Sequence, residues 1–254
     1  TQENSHVVFV SKGVPVANKV FSTLSDALTY VKSQNPSSSN RWTIIVRPGH
    51  YPESGTGAMI VPSWTNIVGS GKQATTIALN RDLHIGGNLV EIRNLTISHT
   101  GTPGAPFDVV VDDTANNVMF EDVDFYNGTE VKAYSSSITE DKSIVFKQCL
   151  FYMQAGGRGL TITGNSSHTV NAAVINCNFA PLSPPAANVY GIYADYTILG
   201  IQECAFNMIS LAAVYINHGY LKADDCYFQN FAGNAISMQN SEYKICLLYT
   251  SPSP

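Results

Sequence analysis

Short apolar–polar alternations recur along the second half of the chain, at Gly159 to Thr163, Gly191 to Asp195, Ala213 to Asn217 and Asn234 to Gln239. Alternation with period 2 sends successive side chains to opposite sides of a strand. Leu160, Ile162, Ile192, Ala194, Val214, Ile216, Ile236 and Met238 therefore share one side, and Thr161, Thr163, Tyr193, Asp195, Tyr215, Asn217, Ser237 and Gln239 share the other. Between these strands runs a repeated phrase, found at 118–125, 144–151, 173–179, 200–206 and 221–228. Its closing phenylalanines, Phe125, Phe151, Phe179, Phe206 and Phe228, lie 26, 28, 27 and 22 residues apart. Self-similarity at such a period marks a solenoid in which one repeat is one coil. A βαβ unit needs about 30 residues or more, so coils this short without a helix predict an all-β fold. That fold is a single-stranded parallel β-helix whose coils pair at roughly 4.8 Å.

Cysteines follow the same period. Cys149, Cys177, Cys204 and Cys226 each stand two residues before a closing phenylalanine, which predicts a buried ladder, since free cysteine packs as a small hydrophobe. Stacked side chains in a parallel ladder point the same way, against the converging Cβ vectors a disulfide needs. No C-x₂-C pair suggests a metal site. Near the N-terminus, Thr23 to Asp26 reads as a capping box, and Leu24, Ala27, Leu28 and Val31 fall at i, i+3, i+4 and i+7. This predicts one short amphipathic helix capping the open end of the stack. Asn35 to Asn40 reads as a loop, Trp42 to Val46 as the first core strand, and Arg47 to Glu53 as the turn that closes it. Residues 1–245 form one β-helix domain on this reading. The tail 246–254 breaks the repeat and resembles read-through of a sequencing-library adapter, so it is expected to be non-native.

Composition narrows the partners. Of the 254 residues, 13% are charged and the net charge is −5, with no basic stripe to attract nucleic acid. No apolar run approaches the ~20 residues of a membrane span, and no signal peptide is visible in this segment. Gly69-Ser-Gly-Lys-Gln lacks the Ser/Thr that follows the lysine of a phosphate loop and reads as a turn. The histidines His50, His84, His99, His168 and His218 are scattered, so no metal and no cofactor is expected.

Motifs in the first 160 residues resemble a known family. A Phe-x-Thr-Leu-x-x-Ala-Leu helix precedes a strand ending in Pro-Gly-x-Tyr-x-Glu (Pro48, Gly49, Tyr51, Glu53), followed by Asn-Ile-Val-Gly-Ser-Gly from Asn66 to Gly71. This order is similar to the N-terminal part of pectin methylesterases and to the wider pectin-lyase-like superfamily of right-handed parallel β-helices, which includes phage and viral surface proteins. The resemblance implies an extracellular or virion-surface location and a polysaccharide or cell-surface glycan as partner. A phage tailspike-like protein would also be a homotrimer.

The catalytic motifs of the resembled esterases are not matched. Their Gln-Ala-Val-Ala-Leu strand, Gln-Asp-Thr turn and Asp-Phe-Ile-Phe-Gly segment correspond here to Lys132 to Ser135, to Gln154-Ala155-Gly156 and to Pro181 to Pro185. Both aspartates of that chemistry, one to attack and one to donate a proton, are missing. Asp195, Gln154 and Arg158 are the weak catalytic candidates that remain. Tyr193 over Tyr215, flanked by Tyr190, Tyr196 and Tyr220, offers a flat aromatic face suited to sugar rings. The expected binding stripe is Thr161, Thr163, Tyr193, Asp195, Tyr215 and Asn217. The expected role is structural or adhesive and non-catalytic, with a pectinesterase, polysaccharide lyase or hydrolase as the alternative. The two separate on whether paired carboxylates converge on the outward face once the coils stack.

Overall fold

The computed structural model describes residues 6–13, 19–99, 108–182, 189–207, 209–230, 233–246 and 248–251. Its coils climb through three parallel faces. Face A runs from Val7–Val10 through Trp42–Val46 and Thr65–Val68 to Tyr220–Asp224 and Glu242–Ile245, and face B from Gly49–Glu53 and Thr75–Leu79 to Cys226–Gln229 and Leu248–Ser251. Two longer strands, Glu91–His99 and Val118–Tyr126, bend through both. Face C stacks eight strands: Met59–Val61, Leu83–Ile85, Val109–Val111, Val131–Ala133, Arg158–Thr163, Tyr190–Asp195, Ala212–Asn217 and Asn234–Gln239.

Inside the coil, like stacks on like. Phe151 and Phe179 lie 4.5 Å apart at 1°, Phe179 and Phe206 4.8 Å apart at 7°, and Phe206 and Phe228 5.1 Å apart at 5°. All are buried, as are Cys149, Cys177, Cys204 and Cys226, which are free thiols. Cys177 and Cys204 are each pushed above the usual thiol range by the neighbouring thiol and by burial.

The repeated phrase turns a corner in its middle. Asn94, Asp122, Gln148, Asn176, Glu203 and Asp225 all sit at φ between 48° and 57°, the left-handed region that costs an L-residue about 1 kcal/mol or more. Each residue from Gln148 onward stands directly before a ladder cysteine. The N–H groups of Gln148, Asn176 and Glu203 reach the next coil, to Ile175 O, Gln202 O and Asp224 O at 2.8 to 3.0 Å. The strained corner is thereby fixed by rung-to-rung bonding.

The helix Leu24–Ser33 forms as the capping box predicts, with Thr23 Oγ1 accepting from Asp26 N at 3.1 Å and Leu24, Ala27, Leu28 and Val31 buried. Two readings of this end are corrected. Trp42–Val46 is not the first core strand, because Val7–Val10 stacks beneath it with Val8 and Val10 fully buried. Gly49–Glu53 is not a turn but the first strand of face B. Its motif residues are structural: the buried Glu53 carboxylate accepts from Leu24 N at 2.7 Å and Ser25 N at 3.2 Å, and Tyr51 Oη donates to Arg47 O at 3.0 Å. Beyond Ile245 the backbone adds one more parallel rung, Leu248–Ser251.

Candidate functional site

Face C carries the chemistry. Its inward residues build the core, and its outward residues form three stripes whose members are fixed by register. The central stripe reads Ile60, His84, Val110, Lys132, Thr161, Tyr193, Tyr215, Ser237. The predicted stripe is thus assembled: Thr161 pairs Tyr193, Tyr193 pairs Tyr215, Thr163 pairs Asp195, and Asp195 pairs Asn217.

The aromatic face differs from the expectation. Tyr193 and Tyr215 stack at 4.8 Å and 15°, and the Arg158 guanidinium lies 3.9 Å over Tyr193 from the opposite rung. Both faces of Tyr193 are therefore covered, because rings stacked along a solenoid axis turn their faces to each other. Tyr190 meets Tyr193 and Tyr215 edge-on, at 5.8 Å and 5.9 Å. In this column Tyr215 alone keeps a side not stacked by a ring or guanidinium, over the small Ser237, while its Oη donates to Gln239 Oε1 at 3.0 Å. Tyr196 does not belong to the platform; it sits at the corner into face A, stacked on His218 at 4.6 Å. Tyr220 lies on face A.

The three weak catalytic candidates are not brought together. Arg158 opens the fifth strand of face C and Gln154 lies in the turn before it, whereas Asp195 pairs with Thr163 at the strand's far end. Five residues of strand separate the two edges by roughly 16 Å. Asp195 instead accepts from Asn217 Nδ2 at 3.2 Å and faces His218 Nδ1 at 3.3 Å.

A polar cluster next to Arg158 was not found in the sequence. Asp82, Asp108 and Glu130 precede three successive face C strands, so register places them one above another. Lys132 pairs with Asp108, Asp108 N donates to Asp82 Oδ1 at 2.9 Å, and Thr161 Oγ1 donates to Glu130 Oε1 at 2.6 Å. Asp108 is buried, and its Oδ1 has no hydrogen-bond partner among the described residues. Burial pushes the Glu130 carboxyl above the usual range, against the pull of the Thr161 hydrogen bond and the Lys132 charge, with Asp108 adding to the rise. Two acids with different environments, one ion-paired and one held towards its neutral form, are what acid–base chemistry requires. Each acid stands in a coil of different length just before a strand of only three residues, so no fixed spacing announces the cluster.

A second dyad lies lower on the same face, where His84 Nδ1 meets Asp112 Oδ1 at 2.7 Å. Asp112 and Asp113 follow the face C strand Val109–Val111, and Asp113 accepts from Ser135 N and Oγ. Among the described residues no group of three or more His, Cys, Asp or Glu is placed to hold a metal ion. No described helix is long and apolar enough to cross a membrane.

No family model matches the chain, and no curated protein sequence matches it. Solved structures do. A pectin methylesterase crystallised with a hexasaccharide superposes with TM-score 0.57 and 11% identity over 96% of this chain and 89% of that one. The Escherichia coli protein ybhc gives 0.64 and 12% over 96% and 86%, and a pectin methylesterase from Erwinia chrysanthemi 0.56 and 11% over 97% and 89%. The chain shares the parallel β-helix fold of these structures. In this β-helix, Ala155 occupies the exposed turn that the family resemblance assigns to an aspartate. Of the segment matched to the second aspartate, Pro181 ends a face B strand and residues 183–185 lie outside the described residues.

Proposed function

We propose that this β-helix binds a polysaccharide along face C and lacks pectin methylesterase activity. The observation that carries the reading is the outward stripe itself. Thr161, Thr163, Asp195 and Asn217 offer hydroxyl, carboxylate and amide groups on adjacent rungs, beside the Arg158–Tyr193–Tyr215 column. Such a surface recognises sugars by in-plane hydrogen bonds and by one aromatic side, on a rigid scaffold that costs little ordering entropy on binding. The likeness to pectin methylesterases supports a glycan as the partner class, at the cell exterior. The Arg158 guanidinium, 3.9 Å from the centre of the Tyr193 ring, carries planar N–H donors that a ligand can engage.

The test is retention on a panel of neutral and acidic polysaccharides by affinity electrophoresis, with Arg158→Ala and Tyr215→Ala as variants. Binding lost in both variants, with unchanged melting, is the expected result; equal retention of wild type and variants would refute the use of face C. The absence of the two aspartates predicts no methanol release from methylated pectin, and release abolished by Asp195→Asn would overturn it.

One observation favours a second reading, a carbohydrate-active hydrolase. Asp108 and Glu130 stand on adjacent rungs, whose backbones lie about 4.8 Å apart, an arrangement that lets two carboxyls take up the ~5 Å separation of retaining glycosidases. New reducing ends from the bound polysaccharide, lost in Glu130→Gln, would establish it.

A further inference from the structure

Face A carries a pattern that the glycan reading does not use. Register lines up Glu91, Met119, Val145, Ala173, Gly200 and Lys222 as one outward stripe. This segment is acidic at Glu91, basic at Lys222 and apolar between, and the stripe continues to Asn66 on the acidic side and Lys244 on the basic side. Its middle is the floor of a trough of about 310 Å³, walled by Ile198, which is 45% exposed. Gly200 is not there for its backbone: its φ is ordinary, and a Cβ would meet nothing nearer than Ala172 O at 3.9 Å. Glycine inside a strand weakens it, so the empty floor is a feature without a structural reason inside the coil. The flanking stripe runs Arg93, Glu121, Lys147, Ile175, Gln202, Asp224, with Arg93 paired to Glu91 at 3.1 Å and Lys147 to Glu121 at 2.6 Å within the chain, so that its ends carry the opposite charges to Glu91 and Lys222.

We propose that face A is the contact surface of a homodimer in which two copies pack face to face with antiparallel helix axes. A two-fold axis lying between the faces, along the strand direction and midway between the Val145 and Ala173 rungs, reverses the order of rungs. It sets Glu91 opposite the second copy's Lys222, Arg93 opposite its Asp224, and Met119 against its Gly200. Each contact occurs twice, as an isologous interface requires. About this axis the charge order is self-complementary, whereas a parallel pair whose two-fold ran along the Glu91–Lys222 stripe would set Glu91 on Glu91 and Lys222 on Lys222. Packed sheets lie about 10 Å apart, a gap that a methionine over a glycine fills. Six rungs by five residues cover roughly 29 Å by 16 Å, which is less than a standard interface of about 800 Å² per partner. The dimer is therefore concentration-dependent. This inference is independent of glycan binding, which uses a different face of the coil.

Sedimentation velocity across a concentration series of the whole chain tests it. Wild type should shift from monomer to dimer. Gly200→Arg, which fills the trough without straining the backbone, should stay monomeric with unchanged melting. Glu91→Lys and Lys222→Glu should each weaken the dimer at least about tenfold by facing like charges, and the double variant should restore it. A monomeric wild type, a trimer, or association that survives Gly200→Arg and both single charge reversals would overturn the proposal. So would a double variant no better than either single one.

Discussion

Replacing Phe179 with alanine tests the stacked core at its centre. The ring is fully buried and sandwiched between Phe151 at 4.5 Å and Phe206 at 4.8 Å. Truncating a core phenylalanine costs about 3 to 5 kcal/mol, more where the site cannot collapse. Here it cannot: the Phe179 ring lies against Gly159, where even an added Cβ would come within 3.0 Å of Cδ1, so no side chain exists there to swing into the hole. Two aromatic pairs, each about 0.5 to 1.5 kcal/mol beyond area burial, are lost together. The expected cost is therefore at the upper end of the range, and in a chain of this size it should lower the melting temperature by roughly 10 °C or more. Phe9, by contrast, points outward from the terminal strand beneath an Arg47 guanidinium at 5.1 Å, and Phe9→Ala should cost no more than about 1 kcal/mol. Urea unfolding followed by circular dichroism gives both values. Equal losses would refute the reasoning, since a stack whose centre is no more costly to perforate than its end is not stabilised by its ladder.

Titration of the native chain with a thiol reagent should find one reactive cysteine, the exposed Cys246, and five after denaturation; a Cys149–Cys177 disulfide would contradict the ladder. Burial holds Glu130 above its ordinary value of 4.5, so its ionisation opposes folding. That opposition is absent below the unfolded value and grows as pH rises through the raised folded one. Glu130→Gln keeps an oxygen for Thr161 to donate to, and should gain stability over wild type at pH 8 but not at pH 4. An equal effect at both, or a loss at pH 8, would show that Lys132 and Arg158 hold the carboxylate charged.

What could be read in the sequence was whatever repeats with the coil. The phenylalanine and cysteine ladders, the inward and outward sides of face C, and the capped helix each rest on local periodicity or local chemistry. The corners did not show, although a polar residue stands before each ladder cysteine, because left-handed φ is a property of the stacked coil and is shared by Asn94, Gln148 and Glu203 alike. The Tyr193 platform was misjudged for a related reason: a list of tyrosines on one stripe does not reveal that stacking hides their faces, or that Arg158 lies on top. Asp108, Glu130 and Lys132 converge only through the register of Val109–Val111 with Val131–Ala133, two short strands 22 residues apart with no alternating pattern long enough to announce them.

The measurement that bears most directly on the account is a crystal structure of the chain soaked with a hexasaccharide of whichever polysaccharide retains it best. The account predicts sugar across face C, with Arg158 donating to it and Tyr215 beneath one ring. Sugar seated on face A, on face B or against the Leu24–Ser33 helix, with face C bare, would contradict it.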